Sequence, residues 1–434
     1  MRLKPQDLIF AFKSMVLSLY GTMTHAAPVL RPAAAVLFTF LPLFAAPTPN
    51  PPEPPPLRAK LDYTFGQRMR FVLTLERPYP IAEAVLYYVL PDMEIPQRIS
   101  LIPNSPTQTQ LIYERDLRQD PLPPFAPLTF WWEIRDHEGN WRSTERQTIR
   151  YLDNRITWQT LTRDPIRLHW HTGDPGLAQS ALELAHQTLE RIGEPLSYRA
   201  PEPIDLFWYA DPELARAAFR MAGMEIGGEV RPRWRAVILI APADGAGLET
   251  LRRLIAHELT HVILDDLARG QPLPAWLVEG WALLNEGLPD PNLLRALQEP
   301  RLEGVSLASL CGEFPTDPLR ARQAYALSWA VARYIQDQEG LRGLRRLLET
   351  YAGGISCENG VRRILGRSLA RLESEAETAA QPRPLWQSTI ESLGPWILLF
   401  FLLSLGPLSL AFGDRTRGDR MEGKPLRNAH RERR

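Results

Sequence analysis

LETLRRLIAHELTHVILDDLARGQPLPAWLVEGWALLNEG, residues 248–287, is the stretch on which the reading of this chain turns. Within it, His257-Glu258-Leu259-Thr260-His261 sets two histidines four residues apart. On a helix that spacing puts both imidazoles on one side, where they can grip a single metal ion. Glu258, next to the first histidine, is placed to take a proton from a water on that ion. Ile255, Leu259, Val262 and Ile263 give the apolar stripe of a buried helix, and Gly270 with Pro272 stops it. After a short loop, Pro274-Ala275-Trp276-Leu277-Val278-Glu279-Gly280 opens a second helix, with Glu279 eighteen positions beyond His261. A catalytic zinc needs three protein ligands and one open position, and two histidines with a glutamate are one known set.

HELTH followed by P-x-W-L-x-E-G resembles the gluzincin metallopeptidases, in particular the peptidase MA-like family, over roughly residues 156–372. The resemblance implies one Zn2+ per chain held by His257, His261 and Glu279, with Glu258 as general base. It implies a peptide or protein substrate without naming it. Related gluzincins set a tyrosine or histidine across the cleft to steady the oxyanion that forms when a carbonyl is attacked. Tyr325, on a helix expected over 323–340, is the candidate for that role. By the same resemblance, residues 237–241, just before the metal helix, are the expected sheet edge where an extended substrate backbone docks.

A ligand histidine is usually held through its far nitrogen by a carboxylate. Asp265, one turn after His261, is better placed for this than Asp266, with helix-end capping as the competing role. Glu286, two turns after Glu279 on the same side, can either support the ligands from behind or lie in solvent, and solvent is preferred. His169 and His171 alternate with Trp170 and read as a strand face rather than a second metal pair. Cys311 and Cys357 are an even pair that can form one disulfide in an exported domain.

The chain has 434 residues, which suggests two globular units plus extras. Its formal net charge is zero, so no nucleic-acid partner is indicated. Residues 1–46 read as a signal peptide built on the apolar run 33–46, with Met23 as an alternative start. Residues 47–56 carry seven prolines and read as a stiff polyproline linker. Residues 57–153 read as an all-β sandwich of immunoglobulin or fibronectin type, with about seven short strands between turn clusters. Residues 154–380 read as an α+β, thermolysin-like zincin domain. Residues 393–412 are uncharged and long enough for a transmembrane helix, and 413–434 form a basic tail. The positive-inside rule then puts the tail in the cytoplasm and the catalytic domain outside the cell membrane.

The sequence thus predicts a multidomain, membrane-anchored, extracellular zinc metallopeptidase. Two rivals are a hydrolase acting on another amide or ester with the same site, and a non-catalytic surface protein that binds through its β domain.

Overall fold

The computed structural model describes residues 54–91, 93–105, 108–219, 228–287, 290–381 and 393–400. The expected signal segment (1–46, with the alternative start at Met23), linker residues 47–53 and the basic tail (413–434) lie outside the described residues.

Strands β1 (Leu57–Thr64), β2 (Arg68–Leu75), β3 (Ile81–Val89), β4 (Gln97–Leu101), β5 (Gln110–Asp116), β6 (Pro127–Asp136), β7 (Trp141–Ser143) and β8 (Gln147–Arg150) make two antiparallel sheets. One runs β1-β2-β5, the other β4-β3-β6-β7, with β8 also on β6. Side chains alternate across each pleat, so Met69, Phe71 and Leu73 of β2 share a core with Leu86, Phe130 and Trp132. The sequence suggests one last strand over 141–152, but two short ones stand there. Between them Thr144 enters the ladder with its side chain: its Oγ1 accepts from the Trp132 N–H at 3.0 Å while its own N–H donates to the Trp132 carbonyl at 2.9 Å.

A third sheet combines β9 (Gln159–Arg163), β10 (Ile166–Trp170), β11 (Ile204–Tyr209), β12 (Gly228–Arg231) and β13 (Ala236–Ile240) in the order β12-β13-β11-β10-β9. The three inner strands are parallel and the two outer ones antiparallel. Every residue of β11 is buried, as befits a central strand covered on both faces. Leu206 and Trp208 pack into the helical core, Phe207 and Tyr209 into the core of the β domain. Phe125 stacks on Phe207 at 4.0 Å, and Arg150 of β8 reaches Asp205 of β11 at 3.0 Å. The β domain is therefore the cover of one sheet face, sharing its core with the strands that carry the helices.

The helices are α1 (Pro175–Gly193), α2 (Pro212–Phe219), α3 (Gly245–Ala268), α4 (Ala275–Asn285), α5 (Pro291–Ala296), α6 (Pro318–Ala352), α7 (Cys357–Leu365) and α8 (Leu369–Ala380). Cys311 and Cys357 are joined in a disulfide.

Two expectations are corrected. The expected fold included a single transmembrane helix over 393–412, yet among the described residues no helix is long and apolar enough to cross a membrane. The described helical residues 393–400 span about 12 Å at 1.5 Å per residue, against about 30 Å of hydrocarbon; residues 401–412 lie outside the described residues. An uncharged run measures apolarity, not helix length. The strand before the metal helix, β13, is also not a sheet edge. It is paired on both sides, to β11 and to β12, and among the described residues β12 ends the sheet.

Candidate metal centre

The site is built on α3 and α4. At the start of α3, Asp244 accepts from the Gly247 N–H at 2.8 Å, the side-chain cap that exposed helix-end N–H groups require. Gly247 itself is needed there, since a Cβ would fall 1.7 Å from the Pro242 carbonyl oxygen. At the other end Arg269 and Gly270 take positive φ values of 53° and 79°, which turns the chain back so that α4 packs on α3.

That return brings Glu279 to the two histidines. The Nε2 atoms of His257 and His261 lie 3.5 and 3.7 Å from Glu279 Oε2, and the three donor atoms are all within 4.8 Å of one another. In a tetrahedral site with metal–ligand distances near 2.1 Å, donors sit about 3.4 Å apart. The three residues therefore fit a zinc-sized ion. Glu279 Oε2 points the same way, being buried with no hydrogen-bond partner. A carboxylate oxygen left in that state is costly, and a cation between the three side chains removes the cost. The side chains remain 16, 11 and 19 % exposed, so the site can be reached from solvent.

Electrostatics separate the two imidazoles. Burial lowers His261 to about 4, which keeps it neutral near pH 7, the form that ligates metals. Burial also works against charge on His257, but the carboxylates of Glu279 and Glu286 outweigh it and raise that pKa to about 10. Glu279 is pushed up by burial and held below the usual carboxylate range by the facing histidines.

Glu286 is where the sequence reading misses. Expected in solvent, its side chain is only 11 % exposed, and it accepts from His257 Nδ1 at 2.8 Å. Its other oxygen accepts from Arg253 Nε at 3.1 Å and Nη2 at 2.9 Å. The signal was its position two turns beyond Glu279. Glu286 caps α4 with helical φ and ψ and donates its N–H to the Ala282 carbonyl, so it keeps the phase of Glu279; what hid it is that its partners lie on α3, a contact between two elements that spacing within α4 does not show. Asp265, the expected holder of His261, makes no bond to it among the described residues. Asp266 instead takes Arg235 at 2.7 Å and the Tyr198 hydroxyl, tying the end of α3 to the loop before β13.

Glu258 is 4 % exposed and close enough to His257 and Tyr325 for its charge to act on both. Tyr325, on α6, packs against Phe314 with ring centroids 4.4 Å apart. Burial first, then the charges of Glu279, Glu258 and Glu286, raise its phenol well above the ordinary value, so it stays an O–H donor. His169 and His171 form no metal pair: His169 is held between Thr160 and Asp205, each at 2.9 Å.

Among solved structures, similar ones include an aminopeptidase N family protein from Idiomarina loihiensis, with TM-score 0.39 and 10% identity over 74% of this chain and 75% of that chain. A polysaccharide deacetylase from Bacillus cereus follows at TM-score 0.19 and 9% identity, over 48% of this chain and 66% of the other. No curated protein sequence matches the chain. The family model of the Peptidase MA superfamily matches residues 184–381, the segment that holds His257, Glu258, His261, Glu279 and Tyr325. With that match over this donor set, the segment is similar to the Peptidase MA superfamily, and the similarity supports a peptidase-like hydrolase.

Proposed function

We propose that the chain is a zinc-dependent peptidase in which His257, His261 and Glu279 hold the metal, Glu258 is the general base and Tyr325 supports the oxyanion. The observation that carries this reading is the convergence of three donor atoms within 4.8 Å around a buried, unpartnered carboxylate oxygen. Structural zinc sites are closed by four protein ligands, whereas three leave a position for water or substrate. A zinc ion bound there supplies Lewis acidity and an acidified water.

The protein side chains do the rest. Glu258 takes the proton of the attacking water and returns it to the leaving amine nitrogen. Tyr325 keeps its proton and donates to the carbonyl oxygen where negative charge develops. Glu286 holds His257 through Nδ1, which leaves Nε2 for the metal. The outer side of β12 ends the sheet among the described residues, and an extended peptide pairing there would receive main-chain hydrogen bonds. The Cys311–Cys357 disulfide supports work in an oxidising compartment.

The test is hydrolysis of a mixed peptide library by the wild type and by Glu258→Gln, with zinc content measured on the same samples. Cleavage that disappears in the variant while zinc is retained supports the proposal. Zinc in both proteins and cleavage in neither favours the rival in which the β domain binds and the metal is not catalytic.

A further inference from the structure

Arg253 lies one helical turn before His257 on α3, and residues at that spacing share a face. Its guanidinium makes no contact with the donor atoms themselves. Nε and Nη2 both go to a single oxygen of Glu286, at 3.1 and 2.9 Å, which leaves the other oxygen for His257 Nδ1 at 2.8 Å. The carboxylate is thus divided, one oxygen to each partner.

Glu286 needs such a clamp. It stands at the C-cap of α4, and among the described residues only His257 and Arg253, both on α3, bond to its side chain. A glutamate side chain held in one rotamer gives up conformational freedom. At 11 % exposure its charge also requires a nearby cation. Arg253, itself 43 % exposed, supplies both the geometry and the charge while keeping part of its own side chain in water.

We propose that Arg253 is a positioning residue of the metal centre, acting through Glu286 to fix the ring orientation and tautomer of His257. The inference rests on the reading of His257, His261 and Glu279 as zinc ligands. Arg253 touches neither metal nor substrate, so its effect belongs in zinc affinity.

The experiment is a zinc titration of the full chain against a chromogenic chelator, with thermal unfolding of each zinc-free protein recorded alongside. Arg253→Met keeps the aliphatic stem and removes the donors; Arg253→Lys keeps the charge without the fork. Arg252→Met is the control, at an exposed neighbour whose partner is Glu249. Expected are a loss of zinc affinity of about tenfold or more in Arg253→Met, partial recovery in Arg253→Lys and no change in Arg252→Met, with the zinc-free proteins unfolding together. Wild-type affinity in Arg253→Met overturns the inference and leaves the site reading standing. An equal loss in Arg253→Lys and Arg253→Met, together with early unfolding of both zinc-free variants, overturns it in favour of a general packing role. A wild type that binds no zinc overturns the site reading, and this inference with it.

Discussion

The backbone of Gly280 meets the carbonyl oxygen of Ser328 so closely that a Cβ on Gly280 would sit 2.2 Å from it and 2.9 Å from the Ala332 methyl carbon. This is where α4 packs against α6, one residue after Glu279. Two effects compete in Gly280→Ala. Alanine favours the helix by about 1 kcal/mol, while overpacking costs about 1–3 kcal/mol. Because the obstacle is backbone and cannot turn aside, the second wins. The variant is expected to lose about 1–2 kcal/mol of stability in a denaturant titration and to bind zinc more weakly than the wild type.

Tyr325→Phe removes one hydroxyl and leaves the ring packed on Phe314. If the hydroxyl donates to the developing oxyanion, kcat falls about 10²–10³-fold, with zinc content and melting temperature close to wild type. Steady-state kinetics on any cleaved peptide measures this. An unchanged kcat would reduce Tyr325 to packing.

The β domain is fastened by Arg150, which reaches Asp205 at 3.0 Å across the shared core. Burial works against the charge of Asp205, but His169, Arg150 and Arg167 outweigh it and hold the carboxyl below the usual range. A carboxyl whose pKa is lower folded than unfolded adds stability that is fully present above its unfolded value, near 3.9, and is lost as pH falls through the folded value. Asp205→Asn should therefore be less stable than wild type at neutral pH, and the difference should shrink as pH drops below about 4. Arg150→Met leaves a 3 % exposed carboxylate with one cation fewer, and a loss of about 3 kcal/mol is expected. Denaturant melts between pH 2 and 7 give both numbers.

The disulfide spans 46 residues, and the Trp276 indole N–H donates to Cys357 Sγ at 3.4 Å. Trp276 lies in the first turn of α4, three residues before Glu279. Closing a loop of that length removes about 4 kcal/mol of unfolded-state entropy. Replacing both cysteines by alanine should lower stability by an amount of that order, read from the denaturant midpoint.

What could be read from the sequence was what depends on local spacing. His257 and His261 share a helix, so their meeting follows from period alone. Glu279 needed only that the loop around Gly270 turn back, which glycine with two prolines announces. Spacing put Glu286 on the side of Glu279, but its bonds to His257 and Arg253 were not legible, because they join α4 to α3. The same limit hid the edge strand: β12 precedes β13 in the chain, but no pattern within 228–231 shows that it pairs there. The β domain could be outlined from its turns. That Phe125 and Arg150 seat it on Phe207 and Asp205 is a contact between distant segments, and no periodicity carries that. At the C-terminus, an apolar run suggested a membrane span that no described helix supplies.

The most direct measurement is zinc content per chain in the full-length protein, compared with Glu279→Ala and His261→Ala after equal exposure to zinc and removal of the excess. One zinc per wild-type chain, with both variants losing it under mild chelation, is the predicted result. A wild type that takes up no zinc, or variants that keep it as firmly as the wild type, would contradict the assignment of the centre.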